Sequence, residues 1–515
     1  MKHYNTTTWQ LYEAGKEYKR RIGLYETVRQ NERFYRGEQW QGNDLDLPRP
    51  VFNLVRRITD YLVCAVLPGD LSVHYTDEKL PFLESGATRE RVLQGIDALN
   101  NHASYRWKRN GMRALAHKAL HNAALSGDGV FYCWWDSSQS NGQIFTGDIH
   151  TYVIDNTDFF VADVKNTDLQ SQEYLILSGR ASVEALRREA IANGMSARDA
   201  ERIVSDEQSE SLGSGPSAQE LSCNPKATYL LRFYRENGEV LFEKSTQDCL
   251  ICRVHTGLKY YPVAYFNWHP TKGCFHGTSA VSDMIANQRY INTAYAMVMK
   301  HMYNTAFSKV IYDKSRIPEW SNEVGEAIAA MGGGNVSDAV SVVGVGELQE
   351  GYLDLIANVI ETTKDMMGAT ESALGDAPAH NTSAILTLQE ASKLSLQQVS
   401  SEFCRCISEI ASIWADMLCT YSHPDRLLLS EDPTGNPMAS RVEYRLLKDE
   451  LLRANAQISN VTTYTPAATV ALLDRLLELG QLSVTQYLEL LPPGTVTNPD
   501  GMLKIIQTKG VKTDA

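Results

Sequence analysis

The sequence predicts an α+β protein that is mainly helical, and three features of the chain support this class. Apolar residues recur at helical spacing through the N-terminal quarter and again after residue 273. Between residues 127 and 270, short aromatic and β-branched segments alternate with Asn, Gly and Asp, which is typical of strands and hairpins. The length of 515 residues leaves room for about two to four domains.

Composition narrows the class of protein. Apolar content of 43 % and charged content of 22 % are those of a soluble folded chain. With 49 basic and 62 acidic residues the formal charge is −13, which disfavours tight wrapping around nucleic acid but allows nucleic acid to slide past. Nine scattered cysteines and an N-terminus without an apolar signal core predict a reducing cytoplasmic compartment. Apolar runs such as Tyr61–Leu67 are far shorter than the ~20 residues of a membrane span.

Helices are predicted for the N-terminal quarter. Residues 9–36 have the pattern of one charged amphipathic helix, which Gly37 ends. The segment VFNLVRRITDYLVCAVL predicts a second helix, and helical pattern continues from Glu84 to about Leu125.

Strands are predicted from Gly127 onward. A helix around Ser182–Asn193 interrupts them, and the polar residues Ser205–Lys226 are expected to form a mobile surface loop. Asn237-Gly238 is the strongest hairpin signal in the chain. The strand segments are GVFYCWWD, QIFTGDIHTYVI, DFFVAD, EYLILSGR, TYLLRFYREN, GEVLFEKS, CLICRVH and YPVAYFNWHP.

A long helix is predicted to begin near His276, and a small module follows it at residues 306–346. In this module AFSKVIYDK and AVSVVGV predict two strands. Between them, Pro318 is expected to start a short helix that runs to Ala330. Two helices that go out and back with a small module at the tip form a stem with a head.

The rest of the predicted architecture is inferred from the stretch between Glu347 and Tyr421. Its first part is expected to form a helix with one buried apolar stripe, including Leu355 and Met366. A loop follows at residues 370–383, and from Ile385 a second pattern predicts one continuous helix of roughly 55–60 Å. Such a length indicates a large or elongated assembly. Beyond it, residues 444–458 and 466–480 are predicted to be helical, with a frayed tail after 495.

An acidic stripe lies opposite the apolar stripe of the first helix. One interpretation is an ordinary solvated face. The other places the stripe along a passage for a polyanion, because an acidic surface repels phosphate and keeps contact weak. The stripe consists of Glu347, Glu350, Asp354, Glu361 and Asp365.

The chemical motifs do not predict an enzyme. His117-x-x-x-His121 lacks the Glu of a zinc protease motif and a third ligand, which favours a surface helix. Cys249-x-x-Cys252 has no second pair, which favours core cysteines. The triple glycine at 332–334 lacks the ending of a phosphate loop, and no nucleophile elbow is present. The spacing of Asp and Glu residues along the chain does not exclude a pair of catalytic carboxylates of the glycosidase type. We expect no catalytic residue, cofactor or metal.

Four segments in register resemble the portal proteins (head-to-tail connectors) of tailed bacteriophages, and the resemblance covers nearly the whole chain. None is a catalytic signature, but their order and the helix–head–helix layout between them strengthen the likeness. The segments are NERFYRGEQW with LPRPVFNLVRRI, CFHGTSAVSDMIANQRYINTAYAMVM, DMMGATESALGDAPAHNTSAILTLQEA, and SVTQYLELLPPG.

The resemblance implies a portal fold whose long helices line a central channel in a ring of about twelve subunits. Its implied parts are a wing (1–272), two stem helices (273–305 and 347–369), a clip (306–346), a tunnel loop (370–383), a long wing helix (384–421), and a crown with a C-terminal tail (422–515). The ring would stand at the portal vertex of the virion capsid, after assembly in the host cytoplasm.

The resemblance also implies function and partners. Terminase would drive double-stranded DNA through the channel, which would later retain and eject the genome. Tail and head-completion connector proteins would attach to the ring, and a major capsid or scaffold protein would surround it. No membrane partner is expected.

Candidate residues follow from this layout. His380, Asn381 and Thr382 of the tunnel loop are expected to approach DNA, and Lys364 and Lys393 to make weak phosphate contacts. In the clip, the candidates for docking terminase or a connector are Lys314, Arg316, Glu319 and Trp320. Each has an alternative as an ordinary exposed residue. Two other protein classes stay open: a different structural virion component, and a nuclease or hydrolase with a dispersed active site.

Overall fold

The computed structural model confirms a mixed helix-and-strand protein. It describes residues 7–42, 47–67, 71–78, 86–140, 142–206, 225–306, 309–321, 323, 328–343, 351–370, 394–431, 436–449, 452–458, 466–483, 486–488 and 491. The chain divides into a large unit, residues 1–66 with 73–456, and a small unit, residues 67–72 with 457–515. Within these described ranges, no helix is both long and apolar enough to cross a membrane.

Five helices build the N-terminal quarter of the large unit. The predicted single helix over residues 9–36 is wrong, because it is divided in two at Gly23. Gly23 has φ +71°, a left-handed conformation that an α-helix cannot contain. The helices are α1 (Thr7–Arg21), α2 (Leu24–Arg36), α3 (Leu54–Val66), α4 (Gly86–Arg109) and α5 (Met112–Ser126).

Two antiparallel sheets follow. A three-stranded sheet has the order β3-β2-β9, from β2 (Asp128–Asp136), β3 (Asp148–Ile154) and β9 (Val263–Asn267). A five-stranded sheet runs in sequence order through β4 (Phe159–Val161), β5 (Tyr174–Ser182), β6 (Lys226–Glu236), β7 (Glu239–Ser245) and β8 (Leu250–His255). Helices α6 (Val183–Ala192) and α7 (Ala197–Ala200) lie between β5 and β6 along the chain.

Local chemistry explains two boundaries in this region. The hairpin predicted at Asn237-Gly238 is confirmed: both residues have positive φ, +52° and +86°, as a type I′ turn requires. The strand predicted from Gln143 begins only at Asp148, after Gly147 at φ +113°. The predicted loop at 205–226 falls mostly on residues 207–224, outside the described ranges.

The long C-terminal helix packs across the three-stranded sheet. It is α10 (Gln397–Tyr421), and its Phe403 meets Phe266 of β9 edge to face. The prediction of one continuous helix is wrong at residues 394–396, which form a 3-10 turn. This turn lies against α3 and buries Leu396. A 3-10 turn advances side chains by about 120° per residue instead of 100°, which changes the register of the apolar stripe. Residues 384–393 lie outside the described ranges.

Within the module at 306–346, the two predicted strands are confirmed as β10 (Lys309–Tyr312) and β11 (Val340–Val343), which pair antiparallel as a hairpin. The helix predicted from Pro318 to Ala330 is wrong for residues 318–321, 323 and 328–330, which are irregular. Met331 N donates to Arg316 O at 2.7 Å, so the two ends of this segment meet. A straight helix of that length would hold its ends roughly 20 Å apart.

The C-terminal region contains more strand than predicted. β12 (Leu427–Glu431) pairs with β13 (Pro437–Arg441), and α11 (Tyr444–Asp449) is only six residues long. Residues 452–458, predicted to be helical, form β14, which pairs with β1 (Leu71–Asp77). The small unit contains α12 (Pro466–Glu478), a predicted helix. The predicted frayed tail after 495 lies outside the described ranges.

Candidate channel and docking surfaces

Two helices and the hairpin between them form the candidate site. The first helix is α8 (Ala280–Thr305), which Ser279 caps by accepting a hydrogen bond from Ser282 N. The second is α9 (Gly351–Met366). Asn287, early in α8, donates to Thr363 Oγ1, late in α9, at 3.0 Å. Because β10 and β11 close the connection at the other end, the two helices run antiparallel.

α9 packs on its neighbour through one narrow face. Ile356 and Thr363 are its buried residues, and Val359 and Ile360 are half-buried. The predicted apolar stripe is wrong at its edges, because Leu355 is 46 % exposed and Met366 is 74 % exposed. A helix that touches one partner covers only a part of its circumference, so the flanks of the stripe stay open in the isolated chain.

The described acids of the predicted stripe are exposed on the opposite face of α9. At 100° per residue, Asp354, Glu361 and Asp365 fall within about 40° of one another and about 170° from Ile356 and Thr363. An exposed face of one sign of charge is compatible with either interpretation of the stripe. Lys364 of the same helix is half-buried. Glu347 and Glu350 lie outside the described residues.

The candidates in the tunnel loop are not among the described residues either. His380, Asn381, Thr382 and Lys393 fall in the range 371–393, and their predicted roles stay predictions.

Of the four docking candidates in the hairpin module, two are exposed and two make contacts within the module. Lys314 and Glu319 are exposed. Arg316 Nη2 donates to Asn335 O at 3.2 Å, and Trp320 stacks on Tyr312 of β10 with centroids 5.3 Å apart. Arg316 and Trp320 therefore hold the module together, whereas Lys314 and Glu319 present charge to the outside.

A buried carboxylate that the sequence did not single out holds the beginning of α8. Asp128, the first residue of β2, accepts five hydrogen bonds and is fully buried. Its donors are Tyr265 OH, Asn267 Nδ2, Gly277 N, His276 Nδ1 and Asn156 Nδ2, at 2.7–3.0 Å. Burial raises the pKa of Asp128, but His276 and the other donors outweigh it and keep the pKa below its usual 3.8.

A second buried polar network fixes the middle of α8. Gln288 Oε1 accepts from Leu54 N at 3.0 Å, and Gln288 Nε2 donates to Asn292 Oδ1 at 2.9 Å. Asn292 Nδ2 in turn donates to Gln39 Oε1 at 2.7 Å. Gln288 and Asn292 lie in one of the segments that resemble portal proteins, but only the tertiary contacts identify their partners in the N-terminal quarter. The first half of α8 is therefore anchored by hydrogen bonds at two levels.

The chemical motifs have no ligand geometry among the described residues. No group of three or more His, Cys, Asp or Glu side chains there could hold a metal. His121 packs its ring edge-on against Tyr35, and burial lowers the pKa of both His117 and His121. Cys249 is buried and Cys252 half-buried, and both are free thiols. Burial raises the pKa of each.

Comparison with known families shows what this arrangement is similar to. The family model "Phage P22-like portal protein" matches residues 257–428, about a third of the chain. This match supports a tailed-phage portal protein. The matched segment contains β9, α8, the hairpin, α9 and α10, so it includes the helix–hairpin–helix layout that suggested the resemblance. No curated protein matches the chain significantly. The matched family is structural, and the match is compatible with a virion capsid component.

Proposed function

We propose that copies of this chain form a ring of about twelve subunits at one capsid vertex, with a central channel through which terminase packages DNA. The same channel retains the genome and releases it on infection. The observation that carries this proposal is the outward acidic face of α9, opposite its contact with α8 and inside the portal-matched segment.

The acidic face suits a channel lining. Around a ring, Asp354, Glu361 and Asp365 repeat in every subunit and form stacked rings of negative charge. Rings of like charge repel the DNA backbone from the wall, so that passing DNA makes weak and transient contacts. Lys364 gives each subunit one basic group beside this face.

The remaining candidate roles extend the same proposal. Residues 380–382 approach DNA at the narrowest point, and Lys364 and Lys393 make weak phosphate contacts. The hairpin module docks terminase during packaging and a head-completion or tail connector afterwards. Lys314 and Glu319 are the preferred docking contacts, because their charges are exposed. A capsid or scaffold protein contacts the wing, which corresponds to residues 1–272.

The mass and symmetry of the purified protein test the architecture. Native mass spectrometry with negative-stain class averages is expected to show a closed ring of about twelve subunits around a central hole. A stable monomer at micromolar concentration, also in the presence of the capsid and scaffold proteins, would refute the ring.

Packaging assays test the assigned residues separately from the architecture. Alanine at 380–382 is expected to reduce DNA packaging or retention while the ring still forms. Lys314→Ala with Glu319→Ala is expected to weaken terminase binding, and Lys165→Ala with Glu173→Ala, in the wing, is the matched control. Unchanged packaging in the loop variant would refute the loop assignment alone.

A further inference from the structure

A buried cluster with two arginines lies away from the proposed channel surface. It is formed by α4, the start of β3 and the turn before β12, and it surrounds a cavity of about 20 Å³. His102 and Arg106 of α4 line the cavity together with Asn110, which directly follows α4. Asp148, the first residue of β3, and Arg426, directly before β12, complete this part of the lining. Both guanidinium groups are nearly inaccessible: Arg106 and Arg426 are each 4 % exposed.

The charges of this cluster do not balance. Arg106 Nη2 donates to Asp148 Oδ1, and Arg426 Nη2 lies 3.7 Å from the same oxygen, too far for a good hydrogen bond. Asp148 is the one carboxylate among the described residues that line the cavity. His102 is neutral, because burial and the charge of Arg106 lower its pKa to about 4. Two cations therefore share a single anion.

Hydrogen bonds are missing from the same groups. His102 Nδ1 donates to Leu429 O at 2.7 Å, which leaves its Nε2 to accept from Arg106 Nη1. Arg106 Nε, Arg426 Nη1 and Asn110 Nδ2 are buried donors with no partner in the part of the chain that the structure describes. Three residues that line one small cavity each carry an unsatisfied buried donor, which is unusual, since buried polar groups are normally paired.

We propose that this cavity binds one monovalent inorganic anion, of the size of chloride or bromide. Its small volume favours a single monatomic ion over an organic acid or a phosphate ester. Water would satisfy the donors but leave the second guanidinium charge uncompensated, and an unpaired buried charge is costly. A halide satisfies both the donors and the charge. Burial lowers the pKa of Arg426 although the charge of Asp148 raises it, which agrees with a guanidinium charge that Asp148 compensates only in part.

The bound anion joins segments that are distant in sequence. Arg106 lies on α4 and Arg426 at the base of the β12–β13 hairpin, 320 residues further along the chain. Both guanidinium groups also face indole rings: Arg106 faces Trp414 at 5.9 Å, and Arg426 faces Trp135 at 5.2 Å. The anion therefore locks the hairpin against α4 and against the sheet that carries Trp135.

Halide-dependent unfolding tests the proposal. The full-length protein is titrated with sodium chloride against sodium gluconate at constant ionic strength, and the unfolding midpoint is followed. The midpoint is expected to rise with chloride along a one-site saturation curve. Arg426→Met removes one charge-assisted hydrogen bond, so the apparent chloride affinity is expected to fall about 10- to 100-fold.

A matched variant separates this site from general salt effects. Arg253→Met removes an arginine that pairs with Glu236 on the exposed strand β8, and it is expected to keep the wild-type chloride response. Equal responses of the wild type, Arg426→Met and Arg253→Met would overturn the proposal.

A second measurement does not depend on any variant. In crystals of the wild-type protein grown with bromide, an anomalous difference peak is expected in the cavity lined by Arg106, Asp148 and Arg426. An ordinary water without anomalous signal in the cavity would equally overturn the proposal.

Discussion

Replacing Asp128 by Asn isolates the contribution of the carboxylate that holds the beginning of α8. The substitution preserves shape but turns one acceptor oxygen into an NH2 group. Whichever way the amide is oriented, this NH2 group faces at least two of the five donors. A buried donor left unpaired costs about 1–3 kcal/mol, so with two such donors we expect a loss of stability of about 3–5 kcal/mol.

The pH dependence of this loss has a definite sign. The folded-state pKa of Asp128 is lowered, so its stabilising contribution is fully present above its unfolded pKa of 3.8 and is lost as the pH falls through the folded value. The difference in stability between wild type and Asp128→Asn is therefore expected to be constant above about pH 5 and to shrink in stronger acid.

Hydrogen–deuterium exchange localises the effect. In Asp128→Asn, amides of the peptide 276–285 are expected to exchange about 100-fold faster or more, in line with the free-energy loss. The control is Asp136→Asn, at the opposite end of the same strand β2, where the carboxylate is half-buried and accepts hydrogen bonds from the neighbouring Ser138. It is expected to change stability by less than about 0.5 kcal/mol. If both variants unfold and exchange alike, the five hydrogen bonds do not anchor α8.

Three further predictions concern other positions. Gly127 has φ +94°, and in Gly127→Ala the added Cβ would stand 2.4 Å from Gly277 O. Calorimetry should therefore show a larger loss of stability than the ~1 kcal/mol expected for Gly111→Ala, whose Cβ enters open space. Burial raises the pKa of Glu409 to about 7, so the stabilising effect of its protonated form is present below pH 4.5 and is lost by pH 7. Glu409→Gln should therefore flatten the dependence of the unfolding free energy on pH in denaturant titrations, whereas Glu402→Gln should not. Rings with Lys at 354, 361 and 365 should bind DNA about tenfold more tightly at low salt, whereas rings with Lys at the exposed wing acids 184, 201 and 239 should not.

Features set by neighbouring residues could be predicted from the sequence. The Asn237-Gly238 hairpin follows from the positive φ that its turn demands, and these two residue types tolerate it. The acidic face of α9 follows from helix geometry alone, because spacing along the chain determines the angle around the helix. The order of α8, the hairpin and α9 also follows from local patterns, because helical and strand spacing succeed one another along the chain.

Errors arose where distant contacts outweigh local pattern. Residues 452–458 contain good helix formers, yet Arg453 and Asn455 are exposed while Ala454 is buried, an alternation that fits a strand. Their pairing partner β1 lies near the other end of the chain, and nothing within residues 452–458 specifies it. The predicted helix after Pro318 failed in the same way, because the bond from Met331 to Arg316 closes the segment into a loop.

In the candidate site, too, some features follow from the sequence alone and others only from tertiary contacts. The sequence alone determined which charges lie on one face of α9 and which segments resemble portal proteins, since both depend on order and spacing. Only the tertiary structure decided that Asp128 anchors α8 and that Arg106 and Arg426 share one carboxylate. Asp128 lies 149 residues from Gly277, and Arg106 lies 320 residues from Arg426. The free energy of a buried charge depends on what folding places around it.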